Sequence, residues 1–230
     1  MFLKKKILAL VPARGNSKGI KFKNLRKAKG ASLLCHTSRF IDKCNFFNEK
    51  IVSTESTKII NEAKKLRFKI HKRSKMTSKD FTSDHEVINE VLNDEEIKKK
   101  NYDYVVYLQP TSPIRKISQL TNALRIVINK NYDASWSITK INKKFHPKKV
   151  LKFSKENFLS IYLNAGKKIF ARQQLEDIYI RNGIFYIFKI SKFLKSKDIF
   201  FKRTYPSITN YPYVNVDTFQ DLNELRKILK

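Results

Sequence analysis

Short apolar runs alternate along the chain with longer amphipathic segments. The runs are typical of strands buried on both faces, and the segments between them carry apolar residues at helical spacing. This alternation predicts an α/β protein with a mostly parallel sheet flanked by helices. The predicted strands cover residues 7–11, 50–53, 68–71, 104–108, 134–138, 184–188 and 213–216. The predicted helices cover residues 33–44, 57–66, 83–92, 118–129 and 219–229.

The pattern loosens between residues 142 and 181 into polar loops, aromatic residues and short β-like pieces around residues 150–153. No internal repeat or low-complexity linker sets this stretch apart. We therefore expect residues 1–230 to form one domain, which is long enough to bury a proper core. The loose stretch is then an insertion in that domain.

Two features of the sequence bear on the compartment. No apolar run approaches the roughly 18 residues that a membrane-spanning helix needs, and the N-terminal lysines lead directly into the first strand instead of a signal peptide. Cys35 and Cys44 lack a metal-binding spacing, so we expect reduced thiols. These observations predict a cytoplasmic protein with no membrane partner.

The chain is strongly basic, with 49 Lys and Arg against 20 Asp and Glu and a formal net charge of +29. Such a charge attracts polyanions and also steers small anionic molecules. The lysines are scattered, however, and no zinc-finger spacing, basic tail or aromatic RNA-binding motif accompanies them. We expect a solvated surface and anionic small-molecule substrates, without a specific nucleic-acid partner. Tight nucleic-acid binding at physiological salt would contradict this expectation.

A loop rich in small residues follows the first predicted strand. Gly15, Asn16, Ser17 and Gly19 let backbone N–H groups converge on one point, where an anion binds. The cationic residues of the same loop are Arg14, Lys18, Lys21 and Lys23. The spacing matches neither the usual phosphate-binding loop nor the dinucleotide-binding glycine motif. The loop predicts a triphosphate site of another kind.

Polar residues also follow two later predicted strands. The segment Gln109-Pro-Thr-Ser-Pro-Ile-Arg115 comes after the strand at 104–108, and its prolines fix a turn. Asp217 comes after the strand at 213–216. Ligands of open α/β sheets bind beyond the carboxyl ends of the strands, and Mg²⁺ prefers one or two carboxylates together with substrate phosphates. Asp217 is thus a candidate Mg²⁺ ligand, unless it caps the helix that follows.

Several of these segments together resemble one family. The loop Val11-Pro-Ala-Arg-Gly-Asn-Ser-Lys-Gly-Ile-Lys-Phe-Lys-Asn24 is similar to the signature of the acylneuraminate cytidylyltransferases, also called CMP-sialic acid synthetases. Further similar segments are Gln109–Arg115, Arg172-Gln-Gln-Leu175, Asn182-Gly-Ile-Phe-Tyr186, Phe200-Phe201, and His146-Pro147 with Lys149. They occur in the family's order across nearly the whole chain. The resemblance implies a Rossmann-like fold of the nucleotide-diphospho-sugar transferase type.

The resemblance also implies residue roles. It assigns the triphosphate of CTP to Arg14, Asn16, Ser17, Lys18 and Lys23, with Lys149 as a weaker phosphate candidate. It assigns the cytidine to Asn24, Arg73 and Ser83. It assigns a nine-carbon sugar acid to Gln109, Arg172, Asn182 and Tyr186. Phe200 and Phe201 would reach into the neighbouring subunit's site, which implies a homodimer with the insertion at about 142–181 as its dimerisation element; core packing is the alternative for both rings.

One position departs from the family pattern, in which two acids share the metal in an Asp-x-Asp-Thr segment. This chain has Asn215-Val216-Asp217-Thr218. Because alternate residues of a strand point to the same side, Asn215 and Asp217 are both expected at the site. Asn215 brings an oxygen but no charge, so we expect Mg²⁺ to be bound mainly by Asp217, water and the phosphates.

The predicted reaction is transfer of a cytidylyl group from CTP to the anomeric hydroxyl of a 2-keto sugar acid, with release of pyrophosphate. Arg14 and Lys23 are the candidates for stabilising the charge of the transition state, with Asp217 and the metal. No histidine has a pattern that makes it the base. The alternatives are a nucleotidyltransferase for 3-deoxy-octulosonate or a sugar 1-phosphate, a nucleic-acid-binding protein, and a catalytically impaired family member that acts as a binding module.

Overall fold

The computed structural model describes residues 2–17 and 19–229. A seven-stranded sheet forms its centre, in the order β11-β7-β10-β6-β1-β4-β5. The strands of the sheet are β1 (Ile7–Pro12), β4 (Glu49–Thr54), β5 (Lys69–Lys72), β6 (Tyr104–Tyr107), β7 (Ala134–Lys140), β10 (Tyr179–Lys189) and β11 (Thr204–Ile208). All are parallel except β10, which pairs antiparallel with both β6 and β7. The predicted α/β fold with a mostly parallel sheet is confirmed.

Helices cover both faces of the sheet. They are α1 (Leu33–Asp42), α2 (Thr57–Lys65), α3 (Asp84–Asn93), α4 (Glu95–Lys98), α5 (Ile117–Asn129), α6 (Ile190–Phe193) and α7 (Phe219–Ile228). Alternate residues of β1 belong to different cores: Ala9 packs with α1, α2 and α5, whereas Leu10 packs with α3 and α4. This two-sided burial explains why the strand has no polar residue. Within the described residues, no helix is long and apolar enough to cross a membrane.

The prediction of a last strand at residues 213–216 is wrong. That segment is irregular, and the edge strand is β11, which the hydrophobic pattern did not indicate. The apolar residues Val214 and Val216 are buried against α7 instead of a sheet neighbour. The Val216 N–H donates to the Thr111 carbonyl at 2.8 Å, which fixes the segment beside the turn after β6. The proline in β11 is tolerated because an edge strand needs hydrogen bonds on one side only.

Strand β10 starts five residues before the predicted boundary at 184 and is interrupted by a bulge between Arg181 and Tyr186. Gly183 in this bulge has a φ angle of +71°, which favours glycine. The bulge is at the edge of the sheet where the parallel strands end, because β10 runs in the opposite direction to its neighbours.

The stretch from 142 to 178 contains little regular structure, as predicted. Its hairpin joins β8 (Leu151–Phe153) to β9 (Leu159–Ile161), and two-residue strands β2 (Lys27–Ala28) and β3 (Ala31–Ser32) form a second small hairpin elsewhere. Short 3₁₀ turns cover Lys23–Leu25, Lys143–Phe145, Pro147–Lys149, Asn164–Lys168 and Arg172–Gln174. The hairpin at 151–161 exposes large apolar side chains, including Phe153 at 72% and Leu159 at 67% exposure.

Candidate active site

A cavity of about 580 Å³ lies beyond the carboxyl ends of β1 and β6. The sequence-predicted residues that line it are Arg14, Ser17, Lys23, Asn24, Arg73, Gln109, Asn215 and Asp217. They come from the loop after β1, the end of β5, the turn after β6 and the segment before α7. The parallel strands thus bring together groups that are up to 200 residues apart in sequence, as expected for an open α/β sheet.

Arg14 connects two walls of the cavity. Its Nη1 atom is 3.0 Å from Asp80 Oδ1 and 3.4 Å from the Lys79 carbonyl oxygen. The Arg14 carbonyl oxygen accepts a hydrogen bond from Asn24 Nδ2 at 3.1 Å. The side chain of Asn24 is buried. Asn24 therefore fixes the backbone of the loop, while Arg14 presents its guanidinium to the cavity.

Lys23 forms the second ion pair of the cavity. Its Nζ atom is 2.6 Å from Asp217 Oδ1, and the Lys23 side chain is only 15% exposed. The residue before it, Phe22, has a left-handed backbone conformation with φ +53°, which turns the chain into the 3₁₀ helix that starts at Lys23. A non-glycine residue in this conformation is strained, and such strain is concentrated at functional sites.

Asp217 does not cap α7. Thr218 is the N-cap: its side chain accepts from the Asp221 N–H, and the Asp221 carboxylate accepts from the Thr218 N–H. The Asp217 side chain is consequently directed to the cavity, with its Oδ2 atom 3.3 Å from Asn215 Nδ2. Asn215 Oδ1 accepts a hydrogen bond from Ser112 Oγ at 3.3 Å. Both predicted metal ligands thus reach the site, although the segment that carries them is not a strand.

The residues present fit a divalent cation of the Mg²⁺ type. One carboxylate, that of Asp217, is a sufficient protein contribution when phosphates and water supply the other ligands. Among the described residues, no group of three or more His, Cys, Asp or Glu side chains is arranged to hold a metal without such help.

Glu55 contacts the loop after β1, and the sequence interpretation missed it. Its Oε1 atom accepts the Gly15 N–H at 2.6 Å, and its Oε2 atom is buried without a hydrogen-bond partner in the described chain. A side chain at Gly15 would lie 2.7 Å from the Cβ atom of Ser56. The end of β4 therefore holds the phosphate loop in place. An acid directly after a strand was the available signal, the same one that identified Asp217.

Arg73 is almost fully buried at the cavity wall. Its Nη2 atom donates to the Ser53 carbonyl oxygen at 2.9 Å, and its Nε atom donates to Ser53 Oγ at 3.2 Å. Burial lowers the pKa of this guanidinium from its ordinary value. Ser83, predicted beside it, does not line the cavity; its hydroxyl caps α3 through Glu86. The neighbours of Ser83, Thr82 and Asp84, line the cavity instead.

Asn182 is buried under the site and is saturated with hydrogen bonds. Its Oδ1 atom accepts from Ser137 Oγ and from the Ile184 N–H, and its Nδ2 atom donates to Thr139 Oγ1 and Thr209 Oγ1. These bonds connect β7, β10 and the end of β11. With its amide fully used, Asn182 shapes the bulge of β10 and has no free group for a ligand.

The bulge in turn supports Gln109. A Cβ atom on Gly183 would lie 2.5 Å from Gln109 Oε1 and 2.9 Å from Ser112 Oγ. The bare backbone at Gly183 therefore makes room for the Gln109 side chain that lines the cavity. Arg115, at the end of the same turn, donates to the Gln109 carbonyl oxygen at 2.5 Å and to the Ile184 carbonyl oxygen at 2.8 Å.

Tyr186 lies just behind this wall and is almost fully buried. Its ring packs on Tyr107, with ring centroids 6.4 Å apart, and against Trp136 at 5.9 Å. Burial raises the pKa of Tyr186 to about 12. Tyr107 itself lines the cavity and donates its hydroxyl to Asp84 Oδ1 at 2.8 Å. Tyr107 and Asp84 are further site residues that the sequence interpretation missed; a tyrosine inside a run of valines was the only signal.

The remaining predicted residues that the structure describes do not line this cavity. Asn16 is exposed in the loop, and Lys18 falls outside the described residues. Arg172 borders a separate hollow of about 300 Å³ with Lys140 and Lys143. Phe200 and Phe201, which precede β11, differ in their surroundings.

Phe200 is 65% exposed and packs edge-on against Trp136 at 4.9 Å. The Arg181 guanidinium lies 5.2 Å from the Trp136 ring and 5.5 Å from the Phe200 ring. Phe201 instead packs in its own chain's core against Phe188 and Phe193. The two rings were predicted to act together, but their burial differs: Phe200 is exposed, whereas Phe201 is partly buried.

The sheet order, the cation-bearing loop after β1 and the acid opposite it define an open α/β protein with a cation-lined cavity at the ends of its parallel strands. The model of one family, described as cytidylyltransferase, matches residues 8–229. The chain belongs to the cytidylyltransferase family, which confirms the resemblance seen in the sequence.

Named relatives are similar over most of the chain. The N-acylneuraminate cytidylyltransferase of Streptococcus agalactiae serotype V is 28% identical over 202 residues, which are 87% of this chain and 47% of that protein. N-acylneuraminate cytidylyltransferase A of Danio rerio is 31% identical over 80% of this chain and 41% of its own length. The chain thus spans less than half the length of these relatives. Pseudaminic acid cytidylyltransferase of Campylobacter jejuni is 29% identical over 97% of this chain and 96% of its own length.

Solved structures share the fold. CMP:2-keto-3-deoxy-manno-octonic acid synthetase complexed with CTP superposes with a TM-score of 0.71 at 15% identity, over 97% of this chain and 98% of that one. The 4-diphosphocytidyl-2C-methyl-D-erythritol synthase from Anaerococcus prevotii has a TM-score of 0.64 at 13% identity, over 99% and 97% of the two chains. At these identities the likeness is one of fold.

Proposed function

We propose that the protein transfers a cytidylyl group from CTP to the anomeric hydroxyl of a nine-carbon 2-keto sugar acid and releases pyrophosphate. The observation that carries this proposal is that Arg14 and Lys23 both line one cavity at the end of the parallel strands, each beside a carboxylate. The names of the relatives supply the substrate class, because they act on acylneuraminic and pseudaminic acids.

The chemistry asks for charge stabilisation more than for covalent work. The sugar hydroxyl attacks the α-phosphorus, and negative charge grows on the phosphate oxygens and on the leaving pyrophosphate. Arg14 and Lys23 would stabilise that charge, with backbone N–H groups of the loop around Ser17 and Gly19. Each cation is held by a carboxylate in the absence of nucleotide, Arg14 by Asp80 and Lys23 by Asp217. The triphosphate would replace those carboxylates.

Asp217 is the proposed main ligand of a divalent metal, with Mg²⁺ as the expected ion. When bound, the metal neutralises phosphate charge. Asn215 bonds Ser112 through its oxygen and Asp217 through its amide nitrogen, so its role in the described arrangement is to orient the Asp217 carboxylate. We expect binding of the metal to depend more on Asp217 than on Asn215.

The sugar acid would lie beside Gln109, which lines the cavity, above the Asn182 and Gly183 bulge. None of the four histidines, all of them among the described residues, lines the cavity. We therefore propose that the attacking hydroxyl loses its proton to solvent.

A homodimer is the proposed assembly. Its support is the hairpin at 151–161, whose apolar side chains are exposed to an extent that is unusual for a monomer surface. Phe200, also exposed, would then contribute to the partner's site, and Arg172 would be brought close to a substrate. The proposed location is the cytoplasm. Cys35 and Cys44 are both free thiols, which suits a reducing compartment.

The test is pyrophosphate release from CTP and Mg²⁺ with N-acetylneuraminate, legionaminate, pseudaminate and 3-deoxy-octulosonate, and with ATP, GTP and UTP in place of CTP. Release with CTP and one nine-carbon acid is the expected result. Release only with 3-deoxy-octulosonate would reassign the substrate. Binding of CTP without release from any acid in the panel would favour a binding module that has lost turnover.

A further inference from the structure

Asp84 is a carboxylate of the cavity that has no part in the reaction proposed above. It is the first residue of α3 and lines the same cavity as the loop after β1. Its Oδ1 atom accepts the Tyr107 hydroxyl at 2.8 Å. No donor within the described residues bonds its other oxygen, Oδ2. A half-buried carboxylate with an unused oxygen in a substrate cavity is a hydrogen-bond acceptor for a ligand.

Tyr107 fixes the orientation of this carboxylate. The tyrosine is fully buried in β6, and its ring is stacked on Tyr186 at an interplanar angle of 20°. Burial, with the neighbouring Asp84 charge, raises the pKa of the Tyr107 phenol well above its ordinary value. The hydroxyl therefore stays protonated and always donates to Asp84. The carboxylate keeps one orientation and offers an acceptor only.

The surroundings of Asp84 suit a flat heterocycle. Pro12 and Val87 contribute apolar surface, and the Tyr107 ring forms part of the wall. Arg73 is in the same wall, and its guanidinium is a pure donor. The cations that would hold the phosphates, Arg14 and Lys23, are instead paired with Asp80 and Asp217. The cavity thus has a charged part for phosphates and a part that combines one acceptor and one donor with apolar surface.

We propose that Asp84, oriented by Tyr107, selects the nucleotide base by accepting a hydrogen bond from the exocyclic amino group of cytosine. The inference rests on the proposed use of CTP. Cytosine presents an amino donor beside two acceptors, which complements a carboxylate and a guanidinium. Uracil places a carbonyl oxygen where cytosine has the amino group, and a carboxylate repels it. Selection therefore works both by attraction of CTP and by repulsion of UTP.

The experiment measures the dissociation constants of CTP and UTP by calorimetry, without sugar acid, for the wild type, Asp84→Asn and Tyr107→Phe. Asparagine keeps the shape of Asp84 but can also donate, so the preference for CTP over UTP should fall at least about tenfold, the effect of one hydrogen bond to a charged group. Tyr107→Phe should lower the same preference about threefold. In the double variant, the preference for CTP over UTP should fall no further than in Asp84→Asn, because Tyr107 acts through Asp84.

The control is Asp94→Asn, which changes an aspartate that caps α4 outside the cavity and should keep the wild-type preference. An unchanged preference in folded Asp84→Asn would overturn the inference while leaving the proposed function intact. If Asp84→Asn weakens the binding of CTP and UTP equally but does not weaken the binding of 2′-deoxy-CTP, Asp84 contacts the ribose. That result would also overturn the inference. A wild type that binds neither nucleotide would refute the proposed function, and this inference with it.

Discussion

Lys23 illustrates how a single side chain is prepared for its role at the residue scale. It is held by a strained backbone at Phe22 and by an ion pair with Asp217, so little conformational freedom is left to lose when a phosphate binds. Its low exposure also strengthens its interaction with any anion in the cavity.

Replacing Lys23 with methionine should lower kcat on the order of 10²-fold, because a positioned charge that stabilises the transition state is removed. The measurement is pyrophosphate release at saturating CTP. Lys21→Met is the matched control, since Lys21 is exposed in the same loop and does not line the cavity. Equal loss in both variants would show that general loop charge, not Lys23, is responsible.

His71 makes stability depend on pH. It is buried in β5, with Nδ1 3.2 Å from Ser53 Oγ, and burial lowers its pKa below the ordinary value of 6.5. The unfolded chain then binds the proton more readily than the folded one, so the stabilisation is complete above pH 6.5 and decreases as the pH falls below it. The Tm of the wild type should drop more between pH 7.5 and pH 5.5 than that of His71→Asn. Parallel pH profiles for the two proteins would contradict this.

At the scale of elements, the bulge in β10 shapes the wall of the cavity beside Gln109, where the sugar acid is proposed to bind. Its geometry depends on two adjacent residues with different tasks. Asn182 ties three strand ends together through its amide, and Gly183 leaves space for Gln109.

Gly183→Ala should raise the KM for the sugar acid while leaving the dissociation constant of CTP unchanged, because the new methyl group displaces Gln109. The backbone strain of a positive φ angle, about 1 kcal/mol, comes in addition. Gly30→Ala separates the two effects: Gly30 has a φ angle of +75° but nothing within 4 Å of an added Cβ atom. If Gly30→Ala changes the KM equally, strain alone explains the result.

Some of the strands were predicted from the sequence and others were not, and the difference has physical causes. β1 and β6 were found because burial on both faces leaves them uniformly apolar. The segment 213–216 was mistaken for a strand because its valines pack against α7, which gives the same alternation without a sheet partner. β11 was missed because it is a polar edge strand that contains a proline. The hydrophobic pattern of a segment shows which of its residues are buried. It does not show which element those residues pack against.

The candidate site was predicted to a similar extent. Arg14 and Gln109 follow β1 and β6 and line one cavity, because topology alone brings strand ends together. Asp217 lines the same cavity, although the segment before it is not a strand. Ser83 and Asn182 were placed in the ligand site, but their polar groups are used within the fold. Glu55 was overlooked because its contact is with a backbone N–H, which no sequence motif identifies.

At the scale of the whole molecule, the exposed hairpin should govern the oligomeric state. Leu159→Lys places a charge on its apolar surface and should convert a dimer into a monomer, as measured by light scattering after size-exclusion chromatography. Leu194→Lys, which changes another exposed apolar residue far from the hairpin in sequence, should leave the dimer intact. A wild type that is already monomeric and still turns over substrate would refute the shared site.

The two ion pairs of the cavity have a consequence for the end of the catalytic cycle. Asp80 and Asp217 are resident counterions, attached by the chain within reach of Arg14 and Lys23. When pyrophosphate leaves, these carboxylates can return to the cations, so the departing anion does not leave two bare charges in a partly buried cavity. If the proposed reaction takes place here, the barrier to product release would be lowered without weakening the cations proposed to hold the substrate. When substrate enters or pyrophosphate leaves, a phosphate group and a carboxylate of Asp80 or Asp217 would exchange places beside the cation. The net charge around Arg14 and Lys23 would then stay nearly constant.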